Sequence, residues 1–424
     1  MGMQNDKEVA KELLSSLKED TAKVSVLSND ALYSLQLKSG EDIISNSTFE
    51  SLGLKPELKK GMDELGLEKP SLIQNLAIPY IIKGRDAVFQ SKSGTGKTIA
   101  FAVGALQRSD AGKGSQVLIL TPTRELSVQV GSELKKLASY CGLNVCLALS
   151  NYIGESINEE IVIGSPGKII GLINSGVLPT ASVSMLIFDE ADEMISNQAF
   201  GAQTLKVIKL FEKSQKIFFS ATYSEMSQRA VKKLVPNADM FFDKNTKAEK
   251  IQLFYVEVLK NKKIEALKTL FEFLNVAQTI IFVNNKHMAD TIKADLEKDN
   301  YSLSIIHGNL MPEDRDSALI EFLNAKTKIL VSTNVFARGM DIPQVNLIIN
   351  FDIPKFSAEE DVQTYIHRIG RSGRFNRSGF VIDFVSGEDD LNALTAIQTA
   401  MGSVSKKFTL DSLKEAFMEE DPLL

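Results

Sequence analysis

Residues 86–101 read DAVFQSKSGTGKTIAF. The apolar run at 86–90 has the length of a short strand buried on both faces, and a helical pattern begins at Thr98. Between them, Gly94 and Gly96 free the backbone to curl until successive N–H groups converge on one point. Strand, glycine loop and helix in this order form a phosphate cradle. Ser93, Gly94, Thr95, Gly96, Lys97 and Thr98 would surround the phosphates, with Lys97 reaching the β- and γ-phosphates and the Thr98 hydroxyl holding Mg²⁺. The helix N-terminus adds a partial positive charge. Ser91 stands where the strict pattern has glycine. Taken alone, the loop also reads as a glycine turn before a helix, and a second motif decides between the two.

That motif is MLIFDEADEMIS, residues 185–196. MLIFD has the form of a buried strand ending on Asp189, and open parallel sheets place their ligands at the C-terminal ends of strands. Asp189, Glu190 and Asp192 follow within four positions. Like charges this close repel, so a cation belongs among them. With a phosphate loop upstream, that cation is the Mg²⁺ of ATP. Asp189 would hold it through water, and Glu190 would orient and activate the attacking water. Asp192 keeps two readings: part of the site, or a charge offsetting a helix dipole.

Similar apolar runs recur along the chain. The first half has QVLIL (116–120), NVCLAL (144–149), IVIG (161–164) and KIFFSA (216–221). The second has TIIFV (279–283), LSIIHG (303–308), KILVST (328–333), LIINFD (347–352) and GFVIDFV (379–385). Intervening segments such as NKHMADTIKADLEKD space Met288, Ile292 and Leu296 as one helical face. Alternating strands and helices imply parallel sheets covered on both sides. These runs are too many for one compact sheet, so two sheets are expected, with a break in VPNADMFFDKNTKAEK (235–250).

The chain has 424 residues, 24% charged and 44% apolar, as an ordinary globular protein does. The net charge of −6 lies at the ends: residues 1–46 carry −3 and residues 409–424 carry −4, leaving about +1 between them. A basic groove for nucleic acid is therefore compatible with the overall acidity. No apolar run is long enough to span a bilayer, and the polar N-terminus does not read as a secretory signal. Cys141 and Cys146, with no second cluster, read as free thiols in a reducing compartment. The scattered His, Cys and carboxylates predict no zinc site.

Asp-Glu-Ala-Asp at 189–192 behind a phosphate loop resembles the DEAD-box RNA helicases, and further stretches match that family in order. GLEKPSLIQ (66–74) resembles its Q motif, with Phe49 upstream at the position of the stacking aromatic. PTRELS (122–127) and SPGK (165–168) resemble motifs Ia and Ib, and SAT (220–222) motif III. IIFVN (280–284) resembles motif IV, STNVFARGMD (332–341) motif V and HRIGRSGR (367–374) motif VI. The resemblance covers about residues 47–408. In SNYIGES only Gly154 stands where the family has paired glycines, and Pro312 replaces a common Gln, with Arg315 kept. Ser91 for Ala, Asn334 for Asp and about five extra residues after Pro354 point to the mRNA-export subfamily that works at the nuclear pore.

The resemblance implies an α/β protein of two tandem RecA-like domains, each a mostly parallel sheet flanked by helices. Domain 1 would span 47–240 and domain 2 would span 251–424, joined by a linker at 241–250 and preceded by an extension at 1–46. It gives Gln74 and Phe49 the adenine, Gly339 and Asp341 the ribose, and Arg371 and Arg374 the γ-phosphate. Asp192, Ser220, Thr222 and His367 would couple that site to domain closure. RNA would run across both domains over Pro122, Thr123, Arg124, Gly154, Ser165, Gly167 and Lys168, then Asn284, Gly308, Arg315 and Thr333. Such small and polar residues suit phosphate and 2′-OH contacts, so weak sequence preference and strong salt dependence are expected.

The expected activity is RNA-stimulated ATP hydrolysis with Mg²⁺, by a monomer that separates short duplexes or strips proteins from RNA. Nuclear-pore and export-activator proteins are the expected partners, and the expected location is the cytoplasm, extending to the nucleus and the pore. Two alternatives stand beside this: an RNA clamp in translation or ribosome assembly, and a DNA helicase of the same class. The presence of Lys97, Glu190, Arg371 and Arg374 argues against an inert clamp, and Gln74 with Phe49 favours RNA. At the N-terminus, KEVAKELLSSLKED puts Val9, Leu13, Leu14 and Leu17 on one helical face. This segment is expected to dock between or against the domains and to hold them apart without RNA.

Overall fold

The computed structural model describes residues 2–25, 47–92, 94–149, 152–196, 198–242, 251–274, 278–334, 345–355, 359–372 and 379–420. They fall into two compact units. One is residues 37–246; the other joins residues 1–36 to 247–424.

The first unit holds strands β1 (Ala87–Gln90), β2 (Val117–Leu120), β3 (Val145–Ala148), β4 (Ile161–Gly164), β5 (Met185–Asp189), β6 (Gln215–Ser220) and β7 (Asp239–Phe241). All pair in parallel, in the order β3-β4-β2-β5-β6-β1-β7. Side chains of a strand alternate between faces, and both faces are covered here. Ala87, Phe89, Ile119, Ile187 and Phe219 pack under the helices Leu72–Ile82, Lys97–Arg108 and Arg124–Ala138. Val88, Leu118, Leu186, Phe188 and Phe218 pack under Pro166–Asn174, Gln198–Leu210 and Glu225–Leu234. Double coverage is why the middle positions of β1 to β6 are apolar on both faces. Cys141 and Cys146 are free thiols of this unit.

The second unit repeats the plan with β8 (Ile251–Glu257), β9 (Gln278–Phe282), β10 (Leu303–Ile306), β11 (Ile329–Ser332), β12 (Val345–Asn350), β13 (Gly379–Val385) and β14 (Lys406–Lys407). Their order is β10-β11-β9-β12-β13-β8-β14, again parallel. The eleven apolar runs of the sequence correspond to eleven of these fourteen strands. β8 escapes that reading because IQLFYVE mixes polar with apolar residues, as suits a strand second from a sheet edge. β7 lies inside the stretch read as a break: Pro236 and Asn237 precede three residues that pair with β1. Residues 243–250 of that stretch lie outside the described residues.

The N-terminal helix Gly2–Ser25 belongs to the second unit. Val9, Ala10, Leu13, Leu14 and Leu17 are buried with Phe254, Phe408 and Leu413. Ion pairs fasten its polar flank. Lys406 reaches Glu12 at 2.6 Å and Lys7 reaches Glu415 at 3.6 Å, and Lys7 and Lys11 both meet Glu419. Exposed pairs of this kind contribute little, about 0–1 kcal/mol each, so the leucines carry the attachment. Residues 26–46, the rest of the segment expected to regulate the domains, lie outside the described residues.

Candidate active site

In the first sheet β6 lies between β1 and β5. The segments leaving their C-terminal ends therefore emerge side by side: the phosphate loop, Ser220–Thr222 and Asp189–Asp192. Ser91 N–H donates to Ser220 O at 3.1 Å, tying the first two together. Within the loop, Ser91 Oγ and Thr95 Oγ1 lie 2.8 Å apart, and Thr95 Oγ1 donates to Lys92 O at 2.8 Å. Ser91 thus braces the turn with a hydroxyl at a position where the pattern has glycine. Gly94 and Gly96 have φ of 76° and 90°, the left-handed region that glycine tolerates. Ser93 lies outside the described residues.

Lys97 opens the helix Lys97–Arg108, and its buried Nζ donates to Ser91 O at 2.8 Å and Lys92 O at 3.0 Å. The ammonium is thereby held in the hollow of the loop, with Thr98 next to it in the first turn. No side chain caps the N-terminus of this helix, which follows directly on the loop. Gln74 closes the loop from the other side. Its helix Leu72–Ile82 starts with a reciprocal capping box: Ser71 Oγ accepts from Gln74 N–H and Gln74 Oε1 accepts from Ser71 N–H at 2.9 Å. Gln74 Nε2 then donates to Gly96 O at 3.2 Å. Phe49 is only 3% exposed and sits in the core under this helix, its ring packed rather than presented on an open surface.

These contacts make Gly96 hard to replace. A Cβ there would run into the Gln74 carboxamide, and the φ of 90° disfavours any other residue. Gly96→Ala is expected to cost about 1–3 kcal/mol of strain and to weaken nucleotide binding, measured by titration with a fluorescent ATP analogue. Binding within about twofold of the unaltered protein, by comparison with the tenfold step of 1.4 kcal/mol, would show that the loop tolerates the change.

Asp189 and Glu190 are each 4% exposed. Asp189 Oδ1 accepts from Glu190 N–H at 3.1 Å, and Glu190 takes a left-handed φ of 53° where the chain turns sharply from β5 into the helix Ala191–Ser196. Burial, reinforced by the Glu190 charge, pushes the Asp189 carboxyl up to about 7, and Lys97 acts in the opposite direction. Asp192 faces the neighbouring strand. Its Oδ1 accepts from Ser220 Oγ and its Oδ2 from Thr222 Oγ1, both at 2.6 Å. Asp192 thus sits in the first turn of a helix and also ties the acidic turn to the exit of β6, so its two readings are compatible.

The first-unit residues assigned to RNA leave the same sheet edge, beyond β5. Thr123 caps the helix Arg124–Ala138 after β2, accepting from Leu126 N–H, and Ser165 caps Pro166–Asn174 after β4, accepting from Lys168 N–H. Pro122 and Arg124, and Gly167 and Lys168, lie at these two helix N-termini, which favour anionic groups. Gly154 lies under the Tyr152 ring, which a Cβ would strike.

In the second unit, Gly308 follows β10 and Thr333 follows β11, with Thr333 N–H donating to Ile306 O at 3.3 Å. Arg315 is in the first turn of Pro312–Leu323, a helix that Pro312 opens at its first position. His307 Nε2 lies 3.2 Å from Asp290 Oδ1, and His287 is exposed. His367 and Arg371 sit at and just past the end of the helix Glu359–Ile369; Arg371 is 3% exposed and its Nε donates to His367 O at 3.1 Å. Gly339, Asp341 and Arg374 lie outside the described residues. Motif reading missed a buried polar group beneath this helix: Asn350, Asp383 and Tyr365, all fully buried. A lone Asn or Asp inside the apolar runs LIINFD and GFVIDFV was the available signal.

Two parallel α/β units, one carrying a lysine-bearing phosphate loop beside a buried carboxylate pair, define a nucleoside-triphosphatase of the RecA-like class. Comparison with known proteins narrows this. The DEAD/DEAH box helicase family matches residues 71–231 and the helicase conserved C-terminal domain matches 262–376. The chain is 36% identical to the ATP-dependent RNA helicase DBP5 of Kluyveromyces lactis, over 91% of this chain and 84% of that protein. It superposes on Saccharomyces cerevisiae Dbp5 bound to RNA and ADP BeF3 with a TM-score of 0.83 at 32% identity, covering 88% of this chain and 98% of the other. S. cerevisiae Dbp5 bound to Nup159, Gle1, IP6 and ADP is a further likeness, with a TM-score of 0.62 at 30% identity, covering 87% of this chain and 99% of that one. The chain belongs to the DEAD-box family of ATP-dependent RNA helicases. It is an ATP hydrolase. Among the described residues, no helix is long and apolar enough to cross a membrane.

Proposed function

We propose that this helicase hydrolyses ATP with Mg²⁺ to remodel RNA–protein complexes during mRNA export, working at the nuclear pore with counterparts of Nup159 and Gle1. The likeness to Dbp5, seen in complexes with RNA and with both of those proteins, supports this reading. The single observation that carries the chemistry is the approach of Lys97, Asp189 and Glu190 at the mouth of one sheet. Mg²⁺ suits the donors there: a carboxylate and the Thr98 hydroxyl are hard oxygen ligands, and Asp189 is a desolvated carboxyl whose charged form lacks a counter-charge strong enough to offset burial. Thr98 and Asp189 would hold the ion, Asp189 through water, and the ion would neutralise charge developing on the phosphates. Lys97 would leave the Ser91 and Lys92 carbonyls for the β- and γ-phosphates. Glu190, fixed by its strained turn, would orient the attacking water. Arg371 and Arg374 would meet the γ-phosphate from the second unit, and the Asp192–Ser220–Thr222 tie would pass their approach to the acidic turn.

Phosphate release measured with and without poly-RNA tests the reading, repeated after Glu190→Gln. The unaltered protein should be stimulated by RNA and more weakly by single-stranded DNA. Glu190→Gln should lower turnover by about 10²–10³-fold, the scale of one lost transition-state group, while ATP-dependent RNA binding persists. Equal stimulation by DNA, or turnover that survives the substitution, would count against it.

A further inference from the structure

Arg368 is fully buried in the second unit, as Asp383 is. An arginine has five N–H donors, and here every one is used. Nε donates to Asn334 Oδ1 at 2.9 Å. Nη2 donates to the same Asn334 oxygen at 2.6 Å and to Asn284 Oδ1 at 2.9 Å. Nη1 donates to Asn350 Oδ1 at 3.2 Å and to Asp352 O at 2.7 Å. The guanidinium also lies 5.2 Å from the centre of the Phe282 ring. These acceptors are all neutral, and burial pushes Arg368 down to about 10 against the pull of Asp352 and Asp383. Asn350 relays to the buried acid Asp383: its Nδ2 donates to Asp383 Oδ1 at 2.7 Å, and Tyr365 OH donates to Asp383 Oδ2 at 2.7 Å.

The acceptors stand at the C-terminal ends of β9, β11 and β12, three neighbouring strands. The donor stands three residues before Arg371, whose own Nε is fastened to the carbonyl of His367. Asn284 has both ends of its carboxamide engaged inside the unit, since its Nδ2 donates to Ile353 O at 2.8 Å. Its main-chain N–H donates to Asp352 Oδ2 at 3.0 Å.

We infer that Arg368, Asn334 and Asn284 form a brace that fixes the end of the helix Glu359–Ile369 and so positions Arg371, making Asn284 and Asn334 positioning residues for hydrolysis and not contacts for RNA. The inference deepens the function proposed above and rests on it. A guanidinium held by five bonds cannot follow one strand end without the others, so the alignment of Arg371 is set by three strand ends together.

The test compares the unaltered protein with Asn284→Ala, Asn334→Ala and Asn334→Asp. For each, kcat and the KM for ATP are read at saturating poly-RNA, and the Kd for a fluorescent RNA oligomer is read with a non-hydrolysable ATP analogue. Both alanine variants should lower kcat by about tenfold, a loss confined to the transition state, with the RNA Kd within about twofold. Asn334→Asp keeps the accepting oxygen and should restore kcat to within about threefold of the unaltered value. Weaker RNA binding with full kcat in Asn284→Ala would make that residue an RNA contact and overturn the inference. So would full kcat in Asn334→Ala, or an Asp variant as impaired as the Ala variant. If Asn334→Ala fails to fold, Asn284→Ala, also at an exposed position, decides by the same readings. No RNA stimulation in the unaltered protein would overturn the proposed function and this inference with it; stimulation there, matched by both alanine variants, overturns the inference alone.

Discussion

Replacing Arg371 by alanine is expected to lower RNA-stimulated ATP turnover by about 10³-fold or more, the scale of an arginine that stabilises charge on a transferring phosphoryl group. Arg371 is 3% exposed and its Nε is fastened to the His367 carbonyl, so the terminal nitrogens are held in one orientation. A pre-set guanidinium needs no reorganisation as charge builds on the phosphate oxygens, and in a site shut off from water its effect is large. Lysine should not substitute, because an ammonium has neither the planar fork nor a second donor pair. The readout is steady-state phosphate release at saturating RNA, with urea unfolding to verify that the variant is intact. An intact Arg371→Ala protein retaining turnover within about threefold, far below the scale of such an arginine, would mean that the second unit does not supply the catalytic charge.

The second large effect concerns stability. Deleting residues 2–25, or replacing Leu13, Leu14 and Leu17 together by alanine, should cost the second unit at least about 4–5 kcal/mol and leave it largely unfolded near 37 °C. Each leucine is buried to 2% exposure or less, and a buried Leu→Ala change costs about 2–5 kcal/mol; contacting sites do not add exactly as independent ones would, so the triple change is set below the sum. The measurement is urea unfolding followed by near-UV circular dichroism. Two units need not unfold as one, so the transition of residues 251–420 should shift while that of residues 47–242 stays. This outcome differs from that of a detachable regulatory segment, whose loss would raise RNA-free hydrolysis in a fully folded protein. A truncated chain with an unchanged unfolding profile would return the helix to a regulatory role.

The sequence was most legible where one physical demand acts alone. Strands covered on both faces are apolar at most positions, so MLIFD and GFVIDFV announce themselves, whereas β7 and β8, near the ends of their sheets, carry mixed residues and do not. The phosphate loop was readable because curling the backbone needs glycine at fixed places and a charge needs lysine; Gly94, Gly96 and Lys97 satisfy both. Other positions stayed hidden because one residue type serves several purposes. The spacing that gives an aromatic upstream of the Q motif to a base does not tell that Phe49 also belongs to the core cluster of Leu58, Met62 and Ile73. Asn284 reads as a contact for RNA, and nothing in its motif tells that its carboxamide is bonded to Arg368 and to the carbonyl of Ile353. Amphipathic spacing announced a docked helix at Val9–Leu17, but spacing does not name the surface it meets. The partners, Phe254, Phe408 and Leu413, lie some hundreds of residues away in the chain.

Placing Gly2–Ser25 in the core of the C-terminal lobe turns the N-terminal lobe into an insertion. Residues 2–25 lie in one lobe, residues 47–242 in the other, and residues 251–420 in the first again. The lobes therefore share two covalent crossings where a simple tandem arrangement has one. The helix joins the C-terminal lobe by non-covalent packing alone, so that lobe is complete only once residues 251–420 have been synthesised, after the whole of the other lobe.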